Sequence, residues 1–361
     1  MNRIKAWLMV ILFMCIMNIM KELYWFYPSI GWAFVLNNTR RNNTLKLSSH
    51  AAVVKALPEK KIAFLFLLSK EFETSEIWYR YFANAPAKQW TLYLHVDPNQ
   101  TIANMPVFFE QFLLKPEYQR RTVYCQDLIS ATLALIQAAL EDIHNHKFIL
   151  LSPTHVPLRK FSELRLSLIR DNASWICVTP VAQWASVETG HERPKHHQWI
   201  ILSYAEASRQ LRLDRKPTEN MRGCEDEYLI TPPELHGSLN YTQERVWSDV
   251  NQGGLRITDT SGERLLVEQG LCSTYVHWGD YHENSLFQGA LPYWFDTSVD
   301  INHQLNPVSY CFLLGLQQHT DFLFARKVVP TARVSMKCTG GENATDLAVL
   351  EALIRLDIIR D

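Results

Sequence analysis

The sequence lacks the short fingerprints of several common enzyme classes. It has no GxGxxG and no GxxxxGK[ST], so the dinucleotide-binding and P-loop classes lose their phosphate-cradling turn. It has no GxSxG; "LSPTHVP" brings Ser152 and His155 together, but without the nucleophile elbow of a serine hydrolase. No two aspartates stand as Asp-X-Asp, and no CxxC or His/Cys cluster has zinc spacing. Long basic blocks are missing and the formal net charge is -1, which removes electrostatic support for a nucleic-acid partner.

What is there has the composition of a protein with a substantial core: 361 residues, 47% hydrophobic and 20% charged. That length suits one large α/β domain, or one domain with an appendage. The N-terminus departs from the average. "AWLMVILFMCIMNIM", residues 6–20, carries no charge, and Arg3 and Lys5 precede it. At 1.5 Å per residue it spans roughly 22 Å, short of a ~30 Å bilayer core. The aromatic run "LYWFYPSIGWAF" follows and suits the interface. No small-x-small cleavage site follows it, which favours a signal anchor over a cleaved signal peptide.

The expected organisation is a cytosolic tail at 1–5, an anchor at 6–20, a lumenal stem at 21–60 and one catalytic domain at 61–361. N-glycosylation sequons stand at Asn37, Asn42, Asn99, Asn172, Asn240 and Asn343. With 18 Asn and 42 Ser plus Thr, chance supplies roughly two. The excess and the apolar start together point to the secretory lumen. Six of the seven cysteines lie beyond the apolar run; they allow 15 pairings, and their spacing does not choose among them or exclude buried free thiols.

From residue 61 the pattern alternates. "KIAFLFLLS" reads as a strand buried on both faces, and "SEIWYRYFANAP" as a helix. "WTLYLHVDP", "RTVYC", "KFILLS" and "SWICVT" read as further strands, with "LISATLALIQAALEDI" and "SELRLSLIR" as helices. "QWIILS" and "STYVHW" read as later strands, and the tail "ATDLAVLEALIRL" as a packing helix. This predicts an α/β fold with a mostly parallel sheet and helices on both faces. Ligands in such sheets sit beyond the carboxyl ends of the strands, here Ser69, His95 to Asp97, and Ser152.

The acidic run in "RGCEDEYLI" is a metal site, a base or a wet loop on its own terms, and "FLFARKV" supplies a cationic pair, Arg326 and Lys327. Such cations can stabilise a departing diphosphate in place of a metal. Seven elements, in order, resemble the core-2/I-branching glycosyltransferase family, which also contains protein xylosyltransferases and plant-type members. They are "KIAFLFLLS" with "EIWYRYF", "LYLHVDP", "FILLSPTHVPL", "RPKHHQWIILSYAEA", "CEDEYLITPPEL", "STYVHW" and "FLFARK".

The resemblance implies a GT-A-like, Rossmann-related fold and an inverting transfer from a UDP-sugar donor to a glycan or glycoprotein acceptor, without a required metal or other cofactor. N-acetylglucosamine in β linkage is the expected sugar, with xylose and glucuronic acid as alternatives. It places the catalytic base on Glu227, the diphosphate ligands on Lys327 and Arg326, and sugar or acceptor contacts on Trp278, Lys195 and Trp199. His95 and Asp97 fall near the nucleotide. The expected location is the Golgi or endoplasmic reticulum membrane, single-pass type II, with the catalytic domain lumenal.

Two departures stand out. The family's small residues before Gln-Trp are replaced by His196 and His197, which read as loop residues. The segment from Asn284 to Cys311 holds no Lys or Arg, so a second upstream cation is missing. These departures motivate one rival: an inactive, membrane-anchored glycan-binding protein.

Overall fold

The computed structural model describes residues 59–103, 105–123, 126–170, 172–177, 196–213, 254–259, 265–269, 272–276, 310–326, 333–334 and 347–360. The predicted anchor, the stem up to residue 58 and the acidic run lie outside them. Among the described residues no helix is long and apolar enough to cross a membrane.

The main sheet has seven strands in the order β2-β1-β3-β6-β5-β7-β8. They are β1 (Lys61–Leu67), β2 (Trp90–His95), β3 (Asn145–Leu151), β5 (Ser174–Cys177), β6 (Ile201–Ser203), β7 (Gly254–Asp259) and β8 (Leu265–Gln269). β1 lies at its heart, parallel to β2 on one side and β3 on the other. Its sequence explains this position: Ile62 to Phe66 are all buried, so the strand needs a layer on each face.

Both layers are helical. Ile62, Phe64, Phe66 and Leu68 share one cluster with Ile77, Trp78, Tyr81 and Phe82 of α1 (Ser75–Ala83). Ala63, Leu65 and Leu67 share the other with Ala131, Leu135 and Ile136 of α2 (Ile129–Leu140). α3 (Phe161–Ile169), α5 (Tyr310–His319) and α6 (Val349–Arg355) add buried side chains to the first cluster. α4 (Tyr204–Arg212) adds Ala207 to the second. Its start is fixed locally, because the Ser203 hydroxyl accepts the Glu206 N–H at 3.2 Å. The tail helix α6 is a packing helix as its stripe predicts, with Val349, Ala352 and Leu353 buried.

The architecture is mixed α/β with a mostly parallel central sheet. β2, β1, β3, β5 and β8 point one way; β6 and β7 run against them. "QWIILS" therefore supplies a strand, but an antiparallel one inserted between β3 and β5. Apolar periodicity reports burial and carries no strand direction, so the sequence did not show this.

"RTVYC" needs a correction. Residues 121–123 are in no strand. The Thr122 N–H, which a ladder would need, instead donates to the Asp97 carboxylate at 2.6 Å.

A smaller sheet has the order β4-β10-β9, with β4 (Val156–Pro157), β9 (Thr274–Val276) and β10 (Phe324–Arg326). β10 runs antiparallel to β4 and parallel to β9. This brings the distant "LFAR" segment beside the turn that leaves β3. A two-stranded ladder joins β11 (Arg333–Val334) to β12 (Leu347–Ala348).

Among the described residues, a disulfide ties the two sheets together. Cys177 ends β5, Cys272 lies just before β9, and the two form a disulfide across a sequence separation of 95. Replacing both with alanine is expected to lower unfolding free energy in urea by about 2–5 kcal/mol. A double variant as stable as the parent would show that the bond contributes nothing to stability.

Candidate functional site

The carboxyl ends of β2, β3 and β10 carry the clustered polar side chains. At the end of β3 the chain turns through Ser152-Pro153-Thr154-His155. The His155 N–H donates to the Ser152 carbonyl at 3.1 Å, and the Ser152 N–H donates to His155 Nδ1 at 2.9 Å. Helix α1 holds this turn from below. The Thr74 hydroxyl donates to the Pro153 carbonyl at 2.8 Å, and the Trp78 indole N–H donates to the His155 carbonyl at 2.9 Å. The Trp of the "EIWYRYF" element is thus a strut for the "LLSPTHVPL" element.

Arg326 reaches this turn from β10. Its Nε donates to the Ser152 hydroxyl at 3.3 Å, and its guanidinium carbon stands 4.1 Å from the Trp199 ring centroid. A guanidinium over an indole face gains about 0.5–2 kcal/mol, depending on desolvation, and loses rotational freedom. Trp199 is 4% exposed, and His155 packs its edge against the same ring at 4.6 Å. Trp199 is therefore the platform beneath a cation, and little of its ring is open to solvent.

The Ser152 hydroxyl joins these groups. It lies 2.7 Å from His155 Nδ1 and accepts from Arg326. With Nδ1 taken up by Ser152, His155 carries its proton on Nε2, a buried atom without a partner. Burial, reinforced by the Arg326 charge, holds His155 well below the usual histidine range.

His196 and His197 lie outside the named helices and strands, as read from the sequence, yet the segment faces inward. Both are buried, and the His197 N–H donates to the Cys177 carbonyl at 2.7 Å. His197 Nε2 lies 3.9 Å from Cys177 Sγ, against the disulfide. Burial, with smaller effects from His196 and Arg326, pushes His197 down to about 3. The two histidines beside Arg326, His155 and His197, are thus neutral near pH 7, and among the described residues of this cluster the guanidinium carries the positive charge.

His95 and Asp97 sit at the end of β2, both buried, and organise the segment that follows. His95 Nε2 accepts the Arg120 N–H at 3.0 Å; burial lowers its pKa to about 4. Asp97 accepts the Asn99 N–H at 2.8 Å, the Thr122 N–H at 2.6 Å and the Thr122 hydroxyl at 3.0 Å. These bonds to Thr122 and Asn99 depress its carboxyl pKa. The pair shapes the strand-end rim by fixing residues 120–122 across it.

The structure therefore brings Arg326 and Trp199 together, and places His95 and Asp97 at the end of β2, separated from β3 by β1. Glu227, Lys327, Trp278 and Lys195 lie outside the described residues, as do Asn37, Asn42, Asn240 and Asn343. Asn99 and Asn172 are described and exposed. Sequence reasoning named Ser152 as a strand end where a ligand would sit, but did not join it, His155 or His197 to Arg326. The available signal was the polar break after the apolar run "KFILL". Among the described residues no group of three His, Cys, Asp or Glu side chains could hold a metal ion.

Three buried neutral histidines give the stability a defined pH dependence. Each has a folded pKa below the ordinary value of 6.5. The unfolded chain therefore binds more protons below about pH 6.5, and stability falls as pH drops from there toward 4. Unfolding free energy measured from pH 7 to pH 4.5 is expected to decline. His95→Gln keeps an acceptor for Arg120 and should flatten the slope by about one proton, ~1.4 kcal/mol per pH unit. An unchanged slope would overturn the neutral assignment of His95.

No curated protein matches the chain. A family model does: that of the Core-2/I-Branching enzyme family matches residues 62–199, the segment that holds β1, β2, β3, the Ser152–His155 turn and the His95–Asp97 strand end.

Proposed function

We propose that the chain transfers a sugar, N-acetylglucosamine in β linkage, from a UDP donor to a glycan acceptor with inversion and without a metal. The observation that carries this reading is Arg326. It is a fixed cation at the carboxyl edge of a parallel sheet, seated on Trp199 and tied to Ser152. Open α/β sheets bind nucleotides at that edge. A preorganised guanidinium there suits the charge that develops on a departing diphosphate.

In the proposed reaction the acceptor hydroxyl oxygen attacks the anomeric carbon. The new C–O bond forms as the bond to the β-phosphate oxygen breaks, and UDP leaves with the electron pair. Glu227 takes the acceptor proton, while Arg326 and Lys327 receive the diphosphate charge. A single displacement needs one base and no covalent intermediate. Trp278 and Lys195 contact the sugar or acceptor in this reading, and Trp199 acts through Arg326.

The Cys177–Cys272 disulfide and the exposed sequons at Asn99 and Asn172 support a lumenal catalytic domain behind a Golgi or endoplasmic reticulum anchor. The rival glycan-binding reading drew on the altered "HHQW" element. Both imidazoles pack inward there, so the substitution alone does not favour loss of activity.

The test is a donor screen of the full chain against UDP-sugars, read as UDP release with glycan acceptors present. Turnover is expected with UDP-N-acetylglucosamine. Glu227→Gln should abolish transfer while UDP still binds, and Arg326→Ala should lower kcat/KM by roughly 10²–10³-fold. No release from any donor overturns the transferase reading, and near-parental turnover in Glu227→Gln removes that residue as base.

Chelation tests the metal-independent part separately. Activity is expected to survive EDTA unchanged. Loss on chelation and return with manganese would assign the acidic run Glu225 to Glu227 to a metal instead.

A further inference from the structure

Away from Arg326, a cavity of about 600 Å³ opens between α3, the end of α5 and strands β5 and β7. Its volume falls in the ~300–1,000 Å³ range of small-ligand sites. Among the described residues its walls include Arg159, Glu163, Trp175, Arg256, Gln317 and Asp321. None of Ser152, His155, Trp199 or Arg326 lines it. It shares β5 with the site above, since Trp175 and Cys177 lie on that strand.

Its chemistry is specific. Arg159 is locked in place: its guanidinium donates to the carbonyls of Gln317, Thr320 and Phe322, at and just beyond the carboxyl end of α5. The position of the pocket wall is thus set by the fold. Glu163 and Asp321 are exposed, and neither carboxylate has a hydrogen-bond partner among the described residues. Trp175 supplies an apolar wall, with the Arg256 guanidinium 6.0 Å from its ring centroid. The Trp175 indole N–H also lacks a partner.

Among the described lining residues two guanidinium groups and two carboxylates balance, so a charged ligand gains little net Coulomb attraction from them. An aliphatic ligand would leave the carboxylates and amides unsatisfied. A molecule dense in hydroxyls, which donate to carboxylates and accept from amide and guanidinium N–H groups, satisfies both. Its C–H surface suits the indole.

The geometry points to a second carbohydrate site: this pocket binds a neutral saccharide unit of hexose or N-acetylhexosamine, apart from the place where Arg326 would hold the donor. The inference rests on the transferase reading only for its purpose, which is to retain an acceptor glycan by a residue beyond the one that reacts. Binding there does not require turnover.

The experiment is saturation-transfer NMR on the full chain with a panel of neutral oligosaccharides of hexose and N-acetylhexosamine. At least one is expected to bind saturably. The paired variant Glu163→Gln with Asp321→Asn, confined to exposed side chains, should weaken it about tenfold. Trp175→Phe should also weaken binding while keeping most of the packing, with near-ultraviolet circular dichroism checking the fold of both. Saturating UDP and Arg326→Ala should leave binding intact.

No signal from the panel overturns the proposal, as does a signal unchanged in the paired variant. A signal abolished by UDP or by Arg326→Ala also overturns it, because the saccharide then occupies the donor region. If no donor supports turnover while binding survives UDP and fails in the paired variant, the pocket stands and the transferase reading falls.

Discussion

β1 is the constraint from which the rest of the molecule follows. A seven-residue strand buried on both faces leaves few architectures open. Its neighbours on each side must pair with it fully, and a helical layer must cover each face. Parallel pairing with β2 and β3 puts the carboxyl ends of three strands along one edge. Every polar group of the candidate site on β2 or β3 lies at that edge, where the apolar runs stop. Position follows from hydrophobic burial; chemistry follows from the residues that end each run.

The site's character comes from how one charge is held. Arg326 arrives on a strand of a different sheet, held by backbone pairing to β4 and β9. Among the described residues its neighbours include an indole face, a hydroxyl and two imidazoles kept neutral by burial. A cation in such surroundings needs little reorganisation when an anion appears. Electrostatic preorganisation of this kind is how enzymes stabilise developing charge. His95 and Asp97 contribute differently, by fixing the backbone of the rim.

The legible parts of the sequence were those governed by local periodicity. The apolar run of β1, the stripe Ile77, Trp78, Tyr81 and Phe82, and the tail helix follow from spacing alone. The pairing of Arg326 with Trp199 does not: the contact spans two sheets and depends on β10 reaching β4. The direction of β6 was hidden because an antiparallel and a parallel buried strand have the same composition. Thr122 misled because a side-chain carboxylate took its N–H. His196 and His197 read as polar loop residues, yet burial with a backbone bond to Cys177 made them interior. The disulfide could not be chosen from six cysteines, since the partners become neighbours only once β5 and β9 are in place.

The Cys177–Cys272 bond has a consequence for the integrity of the chain. It brackets "RGCEDEYLI" and most of the sequence between β5 and β9. A single backbone cut anywhere inside that bracket leaves the two fragments joined, with β1 to β5 on one and β10 on the other. Such a nicked molecule would run as one species until a reductant separates its halves. The strand-end rim and its guanidinium would therefore stay covalently linked through a cleavage that severs the chain between them.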